Sequence, residues 1–388
     1  MDVQFWRSPA TIRTRCGWVG QQALQGVCPE WHLDLDRIPE VVIAVLRVMK
    51  RDYPDGDIPF HSRWRHLPDA AVHTGDPKED LRLKVEGVVV SVLLDAGAGS
   101  QWRWRDPQGQ IWQRSEGLAR ASWQAFVTGA FAGAGGAGVD SQGLLGMTTE
   151  KLAAIFQVRE DNPLVGLAGR LELLHRLGQV VGDSPFFPGS RVGGLADCLL
   201  AAAGDGVLSA GRVLQMVLTS LAPIWPGRLT LAGENLGDVW PYPGLQQEGD
   251  PGWIPFHKLS QWLTYSLLEP LQDYGVRITD LEQLTGLAEY RNGGLFVDYG
   301  VLVPRDPQVL AQPQEVGSPV VVAWRALTVF LLDVLAEQIR EQLRCTASEL
   351  PLVKILQGGT WTAGREIAAE KRPGGIPPLE IRSDGTVF

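Results

Sequence analysis

Between Pro255 and Leu302 the apolar positions keep a helical period and then lose it. Phe256, Leu259, Leu263, Leu267 and Leu271 fall at helical spacing and predict a helix with one face on a core. Lys258, Gln261 and Tyr265 occupy a neighbouring stripe with Trp262 at its flank, a composition that suits a pocket wall. The run Glu289-Tyr290-Arg291-Asn292-Gly293-Gly294 then predicts a compact loop bearing a carboxylate, an aromatic ring and a guanidinium. A buried helix followed by a solvated turn would account for the same pattern.

Elsewhere the periodicity is mostly helical. Helices are expected from Ile38 to Met49, with Pro39 in the first turn, and from Ser115 to about Thr128, with Ser115 as N-cap. Asn162 as N-cap, Pro163 at the first helical position and Gly178 as the stop frame another, and Ser209 caps one that ends near Pro223. Trp324 to Leu343 is a long amphipathic helix, and Asp280–Leu284 a short one. Leu81 to Leu94 leaves helix and strand open, because charges at its start give way to a β-branched run. Trp102–Arg105 and Gln110–Trp112 alternate around Asp106-Pro107-Gln108-Gly109 and predict a β-hairpin. Gly129–Gly146 reads as a mobile loop. Its Gly133–Gly138 stretch has the glycine spacing of a phosphate cradle but neither a preceding strand nor a following helix. The tail from Lys371 is expected to be extended, with Asp384-Gly385 as a turn. The expected fold is mainly α, a helical bundle with one small β-hairpin. It comprises an N-terminal extension (1–75), a main helical domain (76–370) and an extended tail (371–388).

Composition narrows the chemistry. A 45% apolar fraction over 388 residues suits a sizeable core, while the net charge of −9 argues against binding polymeric nucleic acid. Fourteen Trp exceed what such a core needs, so some are expected at a site or interface. The four widely spaced cysteines fit reduced thiols. No signal pattern is evident and no run reads as long and apolar enough to cross a bilayer, so a soluble, cytoplasmic protein with no membrane attachment is expected. His61 and His66 stand five apart, and neither HExxH nor GxSxG occurs, so no metal or cofactor is expected. Phe60–His66 clusters His61, Arg63, Trp64 and Arg65, a composition that suits an anion or a polar ligand clamped against an indole, and a surface loop with a stacked Arg would account for it equally. The remaining chemistry is carboxylates near aromatics and cations: Asp95, Glu116, Asp238, Glu289 and Asp298. Such groups suit reactions through a sugar cation.

Several long blocks, among them FHSRWRH, NPLVGLAGR, LGDVW, PFHKLSQWLTYSLLEPLQ, LTGLAEYRNGGLFVDYGVL, AWRALTVFLLD and the terminal SDGTVF, resemble the fungal and bacterial uracil-catabolism family over nearly the whole chain. A more distant similarity, carried by Phe256–Leu268, Leu284–Arg291, Gly300-Val301-Leu302, Asn162–Arg170 and Trp324-Arg325, is to the queuosine-salvage N-glycosylases. It implies a helical architecture like that of helix-hairpin-helix DNA glycosylases. The key Asp of that second family falls on Glu289, with Tyr290 and Arg291 retained. The tripeptide that follows in that family is replaced here by Asn292-Gly293-Gly294.

Together the resemblances imply an N-ribohydrolase that cleaves N-ribosylurea, or its 5′-phosphate, to urea and the sugar, with other uracil-catabolism enzymes as potential partners. Glu289 would activate water or stabilise the oxocarbenium-like state, and Arg291 would hold it ionised or bind a ribose or phosphate oxygen. Lys258, Arg63 and Arg65 are candidates for the phosphate, and Trp240, Trp262 and Tyr290 for the walls. Gln261, Tyr265, His61 and Arg325 join the binding set, while Asp298 is a further candidate acid beside Asp95, Glu116 and Asp238. An amidohydrolase acting on the ureide and a non-catalytic pathway partner remain as alternatives.

Overall fold

In the computed structural model, which describes residues 1–67 and 72–382, the repeating apolar stripes become helices and short strands fill the connections. The fold is mainly α. The twelve strands among the described residues are two or three residues long and pair two by two. Trp104–Arg105 and Ile111–Trp112 form the expected hairpin. The Asp384-Gly385 turn and the SDGTVF block lie outside the described residues. The described residues divide into two compact units, one of Met1–His61, Arg228–Gln261 and residues 280–382, the other of Ser62–Gly227 and Trp262–Thr279.

The first unit is built on the helix Pro319–Leu343. Proline at its first position loses no intrahelical bond. The next residues are buried on every side, from Val321 to Val329, so this end has no solvent face. The helix packs against Pro9–Leu24, Ile38–Asp52 and Tyr290–Asp298. Contrary to expectation, it is long and apolar enough to cross a membrane by length and composition, because it begins five residues before Trp324 with an apolar run. Of its 18-residue apolar window, 72% is buried inside the protein.

The second unit is built on the helix Pro77–Leu93, which settles the competition at Leu81–Leu94. Asp76 caps it by accepting from Lys78 N, Pro77 opens it, and Glu79 and Asp80 lie in its first turn. These start signals outweigh the β-branched run, whose valines become core.

Three local expectations in this unit give way to longer-range partners. Ser115 is not a cap: Gln113 holds that position, and the Ser115 hydroxyl donates to Asp95 at 2.7 Å. Asn162 is not a cap either, because its amide clamps Arg103 N and O (2.8 Å each) and the helix begins later, at Leu167. Gly178 does not stop that helix but lies inside it, where a Cβ would come within 3.0 Å of Leu144 and Leu145 on a neighbouring short helix. That short helix, Ser141–Leu145, also replaces part of the expected loop. Asp140 caps it and accepts from Gly133 N as well. Pro270 sits within the helix Lys258–Tyr274 without loss, since the Ser266 carbonyl it leaves without a helical donor accepts Trp64 Nε1 at 2.8 Å.

Candidate functional site

The first unit gathers one group of the candidate residues at the start of the helix Lys258–Tyr274. The strands Val239–Pro241 and Trp253–Pro255 pair antiparallel and bring Asp238 against that start. The Asp238 carbonyl accepts Phe256 N at 2.9 Å, and its Oδ2 accepts Lys258 N at 3.0 Å. Arg325, on the second turn of the Pro319 helix and 1% exposed, grips the same carboxylate with two bonds of 2.8 Å. Trp240 Nε1 donates to it at 2.6 Å. Burial alone would raise the Asp238 pKa, but the Arg325 charge and the converging donors hold it well below the usual carboxylate range. The Arg325 guanidinium also lies 4.1 Å over the Phe256 ring and points Nε at Ala288 O, 3.4 Å away. Asp238 is thus a fixed anion that orients its neighbours.

A second tie runs through Gln261. Its Nε2 donates to Thr285 Oγ1 at 2.7 Å, and its Oε1 accepts Thr285 N at 3.0 Å. The first turn of the helix is thereby fixed to the segment that leads into Glu289. Between the two ties, His257 takes a left-handed backbone (φ 47°) and donates Nε2–H to Trp6 O at 2.8 Å. Burial lowers its pKa, against the opposing pull of the Trp6 carbonyl and the Asp238 charge.

Glu289 does not sit in a loop. It is the N-cap of the helix Tyr290–Asp298, with Oε2 accepting Arg291 N at 2.7 Å and Oε1 accepting Asn292 N at 2.6 Å. Glutamate is an uncommon cap, but its extra methylene lets both oxygens reach main-chain donors. The residue is 7% exposed, and burial raises its pKa against the opposing pull of those two N–H groups and the nearby Lys258 charge. The Arg291 guanidinium acts least on it. That side chain turns away, donates to Gly375 O at 2.8 Å and stacks over Tyr290 at 5.0 Å.

Sequence reasoning missed two groups here. Asn292 is completely buried, yet neither Nδ2 nor Oδ1 has a hydrogen-bond partner among the described residues, and the same holds for Trp324 Nε1. Only the departure at Asn292-Gly293-Gly294 signalled the place. The absence of a side chain at Gly293 admits the indole, since a Cβ would lie 2.7 Å from Trp324 Cε2 and 2.7 Å from Thr328 Oγ1.

Asp238, Trp240, Lys258, Gln261, Glu289 and Arg325 therefore belong to one connected set. Asp298 stands at the far end of the Tyr290 helix, roughly 13 Å along its axis, in a part-buried bidentate pair with Arg372 (2.7 and 2.5 Å). His61 Nδ1 meets Gln357 Oε1 at 3.0 Å elsewhere in this unit. The remaining candidates fall in the second unit. There Arg63 is fully buried, pairs with Asp95 at 2.9 Å and bonds Ser91 and Ser115, while the nearby Glu116 carboxylate adds to its field. Arg65 pairs with Glu269 at 2.6 Å, so both arginines of the expected anion clamp are engaged by protein carboxylates. Trp262 and Tyr265 are buried, 5% and 1% exposed. A cleft of about 760 Å³ beside the hairpin, lined by Arg103, Arg105 and Gln157, contains none of the candidate residues.

A family model described as "Protein of unknown function (DUF1688)" matches residues 5–388, and the chain belongs to that family. Two relatives align almost end to end, in agreement with the resemblance of the long sequence blocks. Protein urg3 of Schizosaccharomyces pombe is 39% identical over 396 residues, covering 97% of this chain and 96% of the relative. Uracil catabolism protein 4 of Lachancea kluyveri is 35% identical over 436 residues, covering 100% and 99%.

Proposed function

We propose that this member of the family acts in uracil catabolism as an N-ribohydrolase, cleaving the bond between ribose and urea in N-ribosylurea or its 5′-phosphate. The role in uracil catabolism draws on the name of the end-to-end relative from L. kluyveri. The observation that carries the chemistry is Glu289: a buried carboxylate with a raised pKa, fixed by two main-chain donors and subject to the Lys258 charge. A carboxylate so placed suits a general base working nearer neutrality than an ordinary glutamate. Each oxygen retains a lone pair after accepting its N–H. One takes the proton of a water whose oxygen bonds to the anomeric carbon as the C–N bond breaks, and the anion stabilises the positive charge that develops on the sugar.

Urea leaves only if its nitrogen gains a proton, and the Lys258 ammonium is the donor we assign. Asp238 and Asp298 take no part in proton transfer because arginines hold both as ion pairs. A helical framework like that of the queuosine-salvage N-glycosylases belongs to the same proposal.

The test is to incubate the purified chain with synthetic N-ribosylurea, with and without the 5′-phosphate, and assay urea and free sugar. Stoichiometric urea and sugar are expected from one of the two. Folded protein that releases neither would sink the proposal, and ammonia released in place of urea would move the reaction to the ureide itself.

A further inference from the structure

The chemistry above leaves Asn292 and Trp324 without a role. Asn292 occupies the third position of the Tyr290 helix with no exposed surface, and both ends of its carboxamide lack partners among the described residues. Trp324 Nε1, also buried and unpartnered, belongs to a ring whose Cε2, the atom bonded to that nitrogen, lies against Gly293. Three unsatisfied polar atoms therefore sit beside one helix start. Burying such groups is unfavourable, and native structures hold few of them without a functional reason.

The kind of ligand follows from what is already engaged. The main-chain N–H groups of Arg291 and Asn292 are taken by Glu289, so this helix start offers no anion site. The groups left to be matched are one carboxamide oxygen, one carboxamide NH₂ and one indole N–H. A carboxamide presents an acceptor and a donor side by side, and a second amide or ureide satisfies both at once through a closed pair of N–H···O bonds. A carboxylate, which carries no donor, leaves the carboxamide oxygen unpaired, and sugar hydroxyls match both ends only by fixing two separate rotors.

We infer that Asn292 is the residue by which this site selects an amide- or ureide-bearing ligand, pairing with its N–H and C=O, with Trp324 Nε1 donating to the same carbonyl. The inference rests on the proposed function for its location next to Glu289, but it concerns binding and not bond cleavage. It also supplies a reason for Asn292 at a position where a helix gains nothing from asparagine.

The experiment is calorimetric titration of the full chain with N-ribosylurea, paired with thermal melts. Asn292→Leu replaces the polar atoms with methyl groups on the same branched frame. It should melt at or above the wild-type temperature, since no buried polar group is then left unsatisfied, and bind N-ribosylurea at least tenfold more weakly. Affinity within threefold of wild type overturns the inference. If Asn292→Leu melts lower, Asn292→Asp decides, because it keeps the shape and loses the donor: a tenfold loss there supports the inference and unchanged affinity overturns it. Binding without urea release would defeat the hydrolase proposal and leave this inference standing. Urea release with an unchanged KM in Asn292→Leu would do the opposite, and a wild-type chain that does not bind N-ribosylurea overturns the inference outright.

Discussion

Glu289 holds a helix start and is assigned the chemistry, and two substitutions separate these roles. Glu289→Gln keeps the length but has only one acceptor oxygen, so it can satisfy Arg291 N or Asn292 N and turns an NH₂ toward the other. One charge-assisted bond is lost, about 1.5–3 kcal/mol, but the variant no longer buries a charge. The second term depends on pH. Because the folded pKa of Glu289 is raised, its contribution to stability is fully present below the unfolded glutamate value and is lost as pH rises through the folded pKa. Glutamine does not titrate, so the stability gap between wild type and Glu289→Gln should narrow as pH rises over that range. At neutral pH the net cost should stay within about 2 kcal/mol.

Activity should respond far more. Removing a general base that also faces the sugar cation costs about 10²–10⁴ in rate, equivalent to about 3–5 kcal/mol. Glu289→Asp is the sharper control. Aspartate is a better N-cap than glutamate, so the variant should melt within a few degrees of wild type. Its carboxylate is drawn back by one methylene, and a displacement of about 1 Å can lower turnover roughly 10²-fold. The readouts are urea release under kcat/KM conditions and urea-denaturation curves on the same preparations. A folded Glu289→Gln that retains more than a tenth of wild-type kcat/KM would refute the catalytic role and leave Glu289 as a cap alone.

Further outcomes follow from the neighbouring groups. Arg325→Met leaves the Asp238 carboxylate buried without its ion-pair partner and should cost about 3–5 kcal/mol at neutral pH by chemical denaturation. Asp238 has a depressed folded pKa, so its stabilisation is present above the unfolded value and is lost as pH falls through the folded one; the deficit of Arg325→Met should therefore shrink toward acid, and a constant deficit would refute the assignment. Lys258→Met removes the assigned proton donor and should lower kcat/KM; because it also removes a charge that lowers the Glu289 pKa, the rising limb of the residual kcat/KM–pH profile should move to higher pH, and a shift the other way would contradict the pairing. Asp298→Asn weakens the bidentate pair with Arg372 and should cost about 1–3 kcal/mol with kcat/KM within threefold of wild type, whereas a hundredfold loss would restore Asp298 as an acid of the reaction.

How far the sequence could be read depended on how local the deciding interaction was. Ser209 does cap its helix, and the Asp106–Gly109 turn does join a hairpin, because each preference is satisfied within a few residues. Ser115 and Asn162 carry the same capping chemistry, but Asp95 and Arg103, distant in sequence, claim their side chains. In the site, Glu289, Lys258, Gln261 and Arg325 were legible as a suspicious grouping of residue types. The helix on which Glu289 sits was not. Glutamate is a weak cap signal, and Gly293-Gly294 in a helix costs about 1 kcal/mol per residue relative to alanine.

Packing reverses that preference at Gly293, where the backbone must pass within van der Waals reach of Trp324 and Thr328. Asn292 was illegible for a different reason, since an unsatisfied group is defined by partners it lacks in three dimensions. Three positions on this helix start therefore break local rules: an atypical cap at 289, an unpaired amide at 292 and a helix-weakening glycine at 293. Only the glycine is explained by packing. The cap and the amide are two buried polar groups one helical turn apart, one acidic and one neutral, which is the pairing that the proposed ligand, with a sugar on one side and a ureide on the other, would require.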